Sequence, residues 1–153
     1  MNLLFWKKKK IFFTEEENRL IVKAIRHAEQ RTSGEVRVYV ESHCSWVNAL
    51  DRAAELFFTL KMENTEDRNA VLVYVAIDDH QLAIFGDEGI YKKVGAEYWN
   101  KLVREMLATF SRNHYAKAIS ECVIQIGDAL HTNFPFDKGS DKNELPDEIV
   151  FGR

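Results

Sequence analysis

Only two cysteines occur in the 153 residues, and Cys44 and Cys122 follow no CxxC or metal-finger spacing. Two thiols make no framework of the kind that staples small secreted domains, so both are expected to be reduced. No segment approaches the roughly 20 apolar residues of a membrane-spanning helix. Neither sign of charge dominates, and a net charge of −3 removes the electrostatic case for nucleic-acid binding. GxGxxG, Walker, GxSxG, HExxH and EF-hand patterns are all missing, which disfavours hydride transfer, nucleotide hydrolysis and serine-hydrolase chemistry. What is present, 46% hydrophobic and 29% charged residues, describes one globular domain able to bury a real core.

Residues 1–13 form an arm in which a short apolar stretch precedes Lys7-Lys8-Lys9-Lys10. A secretory signal has the opposite order, so the chain is expected to be cytoplasmic. The arm is expected to pack its aromatics on the domain. The alternative is peripheral contact with an anionic inner-membrane surface, at about 1 kcal/mol per nearby basic residue.

Thr14-Glu15-Glu16-Glu17 reads as a capping box opening a helix whose apolar face is Ile21, Ala24, Ile25 and Ala28. Gly34 is expected to stop that helix through a left-handed conformation. Val36, Val38 and Val40 then alternate with Arg37, Tyr39 and Glu41 as a strand. Helical period returns over 45–62, with Val47, Leu50, Ala54 and Phe57 along one stripe. The unbroken run Ala70–Ile77 marks a central strand covered on both faces. A turn at Asp78-Asp79-His80 and a shorter strand over Gln81–Phe85 complete a hairpin. Helices follow over 95–112 and 115–132, the 14–136 domain ends after Phe136, and 137–153 is expected to be a mobile tail whose end docks back. The order predicts an α/β fold: a three-layer α/β/α sandwich, Rossmann-like, with a mixed sheet holding one βαβ unit and one β-hairpin.

Parallel first and central strands place Glu35 and Asn69 at one edge of the sheet, and the hairpin returns Asp87 and Glu88 to it. Glu35, Asp67, Asn69, Asp87 and Glu88 are therefore the candidate ligands of a hard cation, calcium or magnesium. The competing reading makes Asp87-Glu88 a helix cap and lets Arg37 or Arg68 neutralise the carboxylates. At the opposite edge, His43, Cys44 and His80 raise a weaker prospect of transition-metal or thiol chemistry.

Thr32-Ser33-Gly34-Glu35-Val36-Arg37-Val38, the Arg68-Asn69 entry to a hydrophobic strand, and the Gly86–Gly89 turn together resemble the TPM domain, over roughly Thr14 to Thr132. The family includes thylakoid-lumen phosphatase-like, photosystem-repair and bacterial proteins. The resemblance implies a Rossmann-like sandwich, binding of divalent cations and of calcium in particular, and, in plant relatives, acid phosphatase activity. It extends to Ser33, Glu35, Asn69 and the Gly86–Glu88 turn. This chain departs from the family's Gly-x-Gly-Leu-Glu turn with Gly86-Asp87-Glu88-Gly89-Ile90. The expected function is a calcium-binding, non-catalytic interaction domain with an unknown protein partner; the alternative is a metal-assisted phosphatase for phosphomonoesters.

Overall fold

The computed structural model of the chain describes residues 11–110, 113–136 and 148–152. Residues 1–10 of the expected arm and 137–147 and 153 of the expected tail lie outside them. Helix α1 (Glu15–Gln30) starts with the capping box: Thr14 Oγ1 accepts from the Glu17 N–H, and Glu17 accepts from the Thr14 N–H at 2.9 Å. Ile21, Ala24, Ile25 and Ala28 are its buried residues. Its end corrects the expectation for Gly34. Arg31 closes the helix in a right-handed conformation, and Gly34 is not left-handed. Close approach favours glycine there instead, since a Cβ would lie 2.7 Å from Leu130 Cδ2 and 3.1 Å from the Asn69 carbonyl oxygen.

Strand β1 (Glu35–Glu41) leads through α2 (Ala49–Thr59) to β2 (Ala70–Ala76), which lies parallel to β1 with Glu35 opposite Ala70 and Glu41 opposite Ala76. β3 (Gln81–Gly86) returns antiparallel, with Val71 opposite Gly86. The βαβ unit and the hairpin are thus as expected. Helix α2 is shorter than the 45–62 span and turned about its axis relative to the expected stripe. Asn48 caps it by accepting from the Asp51 N–H at 2.8 Å, which leaves Val47 outside the helix. Its buried residues are Ala53, Leu56 and Phe57, while Val47 and Leu50 are exposed. Burying a side chain the size of Phe57 is worth about 1.5–3 kcal/mol, so this face decides how α2 sits.

Helices α3 (Glu88–Val94), α4 (Ala96–Phe110) and α5 (Tyr115–Asn133) follow, and the last element is β4 (Ile149–Phe151), parallel to β1. The end of the segment expected as a tail is therefore an edge strand of the sheet. Phe151 stacks on Phe12 at 5.8 Å, and the buried Phe13 ring lies 6.2 Å from it, so the near end of the arm packs on the domain.

The sheet order is β3-β2-β1-β4. Strand alternation sends Val36, Val38, Val40, Val71, Val73 and Val75 into a core shared with α1, α4 and α5. It sends Leu72, Tyr74, Ala76 and Ala83 to the other face, against Ala53, Leu56 and Phe57 of α2. The result is a three-layer α/β/α sandwich of Rossmann-like form. No helix among the described residues is long and apolar enough to cross a membrane.

Candidate functional site

The strand-start rim is built by register. Glu35 opens β1 beside Ala70 of β2, and Asp87 follows β3, its N–H donating to the Ala70 carbonyl at 2.9 Å. Glu35, Asn69, Asp87 and Glu88 are thereby carried to one edge, as the topology predicts. Glu35 is 2% exposed, Asn69 1% and Asp87 3%. Asp67 and Glu88 are exposed.

Three residue types explain how the loop before β2 is held. Thr65 Oγ1 accepts from the Asn69 N–H at 3.3 Å, and the Asn69 carbonyl accepts from the Glu35 N–H at 3.4 Å. The Asn69 side chain donates through Nδ2 to Ser33 Oγ at 3.2 Å, tying the two strand entries together. Its Oδ1 is buried with no hydrogen-bond partner among the described residues. Burying an amide oxygen without a hydrogen bond costs about 1–3 kcal/mol, which sets this side chain apart from the satisfied polar groups around it.

Arg68 organises the remainder. In a left-handed conformation (φ 51°), it forks onto Asp87, with Nε to Oδ2 at 2.7 Å and Nη2 to Oδ1 at 2.9 Å. Its Nη1 also lies 3.5 Å from Glu88 Oε1. The hydrogen bonds to Asp87 raise the already high pKa of Arg68. Asp87 is at the same time the N-cap of α3, accepting from the Glu88 N–H at 2.8 Å. Both roles that competed with cation binding in the sequence, helix cap and partner of Arg68, are thus filled by Asp87. Asp67 turns its main-chain carbonyl toward Gly89, where an added Cβ would lie only 2.1 Å away. Among the described residues no group of three or more His, Cys, Asp or Glu side chains comes together to hold a metal.

The opposite rim separates the residues singled out there. His43 Nδ1 lies 2.8 Å from Asp79 Oδ1, and the Cys44 N–H donates to Asp79 Oδ2 at 2.7 Å. His80 instead faces Tyr115, with ring centroids 5.7 Å apart, and Cys44 Sγ donates to the Val47 carbonyl at 3.3 Å. The three soft ligands therefore do not converge. Burial pushes the Cys122 thiol well above its ordinary range, as suits an inert core residue.

The His43 hydrogen bond, followed by that from the Cys44 amide, holds the Asp79 carboxyl below its ordinary value. A folded-state pKa depressed in this way contributes stability above the unfolded value of about 4, lost as pH falls through the lower folded value. Carboxyl-carbon NMR is expected to place the Asp79 midpoint below that of an exposed aspartate, and His43→Ala to move it upward. An unchanged midpoint in that variant would remove His43 as the principal cause.

Sequence reasoning missed a second buried cluster near this rim. Glu41 receives Arg52 Nε at 3.0 Å and Nη2 at 3.1 Å, and it also accepts from the Tyr74 hydroxyl. Burial first, and the bond to Glu41 second, raise the Tyr74 pKa. The one available signal was the tyrosine in an otherwise aliphatic central strand.

Comparison with known proteins agrees with the fold. No curated protein matches the sequence. The solution structure of BA42 from the psychrophilic bacterium Bizionia argentinensis superposes with a TM-score of 0.85 at 38% identity, over 95% of this chain and 99% of that one. The N-terminal domain of cg2496 from Corynebacterium glutamicum shares the fold, with a TM-score of 0.58 at 11% identity over 78% of this chain and 74% of that one. A family profile for the TPM domain matches residues 8–129. With most of its length matched, and with the Ser33–Glu35, Arg68-Asn69 and Gly86–Gly89 segments meeting at one rim, the chain belongs to the TPM domain family.

Proposed function

We propose that this chain is a non-catalytic TPM interaction module that binds a divalent cation, calcium in preference to magnesium, at the strand-start rim. The observation that carries the reading is Asn69 Oδ1, an oxygen buried without a partner among the described residues, on the residue whose carbonyl holds the N–H of the buried Glu35. Oxygen donors, some of them main-chain carbonyls, are the ligands that hard cations take, and calcium tolerates an irregular set better than magnesium does. Arg68 now occupies Asp87, so the guanidinium and a divalent cation compete for the same carboxylate. The donors fit a weak, exchangeable cation, with Asn69 and Glu35 as its nearest protein ligands and Asp87 recruited only as Arg68 withdraws. The phosphatase alternative gains no support from the rim, because Arg68 faces two carboxylates where a phosphate cradle would need free cationic groups.

Titration with calcium chloride, followed by amide chemical shifts, tests the reading. Shifts are expected at Ser33–Glu35, Asp67–Ala70 and Gly86–Gly89, with smaller ones for magnesium. Asn69→Ala should weaken the response and Arg68→Ala should strengthen it, since the competing charge is gone. A spectrum unmoved at millimolar calcium in both the parent and Arg68→Ala proteins would end the proposal.

A further inference from the structure

We infer that the open edge of β3 is a docking groove for an extended, apolar peptide strand of a partner protein that carries an acidic side chain. The inference rests on the reading of the chain as an interaction module, and not on cation binding. Among the described residues β3 ends the sheet on one side, as β4 does on the other. The two edges are unlike. β4 is only 3 residues long, whereas β3 runs 6 residues, Gln81-Leu82-Ala83-Ile84-Phe85-Gly86, in unbroken register with β2. It carries no charge, no proline and no bulge, the devices by which proteins ordinarily block strand addition.

The backbone of this edge is set for pairing. The Asp87 N–H points at Ala70 of β2, and along an antiparallel strand the direction alternates residue by residue. Gln81, Ala83 and Phe85 therefore face β2, and the main-chain donors and acceptors of Leu82 and Ile84 face outward. A groove of about 420 Å³ runs along this outward edge. Leu50 of α2 forms one wall, and Tyr91, Trp99, Val103 and Arg104 form the other. Leu50 and Tyr91 are 55% and 44% exposed, and Val47 and the fully exposed Trp46 precede Leu50 in the chain. An added strand would gain main-chain hydrogen bonds from β3 and would bury side chains against both walls.

Charge selects the occupant. Among the described residues the lining includes one cation, Arg104, and no anion. Arg104 makes no ion pair with any described residue, whereas the neighbouring cation on α4, Lys101, lies 4.0 Å from Glu105. A second copy of the chain, paired edge to edge, would bring another uncharged β3 and a second Arg104 to the groove, and no carboxylate from either strand. A peptide with apolar residues at alternate positions and one carboxylate satisfies backbone, walls and charge together.

The test uses the full chain in chelator, so that cation binding plays no part. The probe is a capped seven-residue peptide of alternating valine and threonine with a single glutamate, added to isotope-labelled protein. Expected are shifts at the Leu82 and Ile84 amides and at the Trp99 indole N–H, which is buried with no acceptor among the described residues. Arg104→Glu should weaken this peptide about tenfold, and a lysine-for-glutamate peptide should bind the variant in its place. A proline at the centre of the peptide should abolish the shifts. The inference is overturned if these resonances stay fixed at millimolar peptide. It is equally overturned if they move with protein concentration alone, the mark of a second copy, or if Arg104→Glu leaves the affinity unchanged.

Discussion

Arg52→Ala is expected to lower the unfolding free energy by about 3 kcal/mol. Glu41 is 7% exposed and lies on the sheet face toward α2, where its two oxygens are satisfied chiefly by the Arg52 fork. Removing the guanidinium leaves the Tyr74 hydroxyl as the remaining side-chain donor to a buried carboxylate. The cost belongs to the stranded charge more than to the lost attraction, which sets the pattern across variants. Arg52→Ala combined with Glu41→Gln should recover a substantial part of the loss, because a neutral amide carries a smaller desolvation penalty. Arg52→Lys should fall between, keeping the charge but losing the fork. Urea denaturation at neutral pH, with an unchanged m-value, is the measurement. A loss under about 1 kcal/mol would place the pair among surface ion pairs, which its burial argues against.

Gly89→Ala should cost about 2 kcal/mol although Gly89 lies inside α3, where alanine is intrinsically better by about 1 kcal/mol. The Cβ would lie 2.1 Å from the Asp67 carbonyl oxygen and 2.6 Å from that of Arg68. Both obstacles are backbone, so no rotamer change relieves them, and overpacking of this kind costs about 1–3 kcal/mol or more. The loop before β2 or the start of α3 must move. That movement would break the Gly89 N–H bond to the Arg68 carbonyl, 2.8 Å long, and disturb the Arg68–Asp87 fork. Thermal unfolding gives the stability loss, and amide shifts confined to the strand-start rim give its location. A variant as stable as the parent, or more so, would mean that helix propensity outweighs the close approach.

How far the sequence could be read follows from the range of the interactions involved. The capping box of α1 needs residues three apart, and β2 needs only its own uninterrupted apolar run; both are visible locally. The convergence of Glu35 and Asp87 was legible too, because a parallel pair followed by a short hairpin leaves the chain no other edge to return to. The Arg68 fork on Asp87 joins residues 19 apart, and its geometry depends on a left-handed Arg68 that no periodicity reports. The same holds for α2. Apolar spacing offered Val47 and Leu50, but capping by Asn48 and the fit of Phe57 against Phe85, ring centroids 4.8 Å apart, chose another face.

Alternation, capping and turn residues, all short-range properties, were enough to determine the element order, the mixed sheet and the rim where the polar residues gather. The tertiary structure alone decided what those polar groups do: which carboxylate Arg68 neutralises, which amide oxygen is buried, and which strand lies at the edge of the described sheet. Those outcomes depend on desolvation and close packing between segments distant in the chain. Such energies exist only once the layers have met.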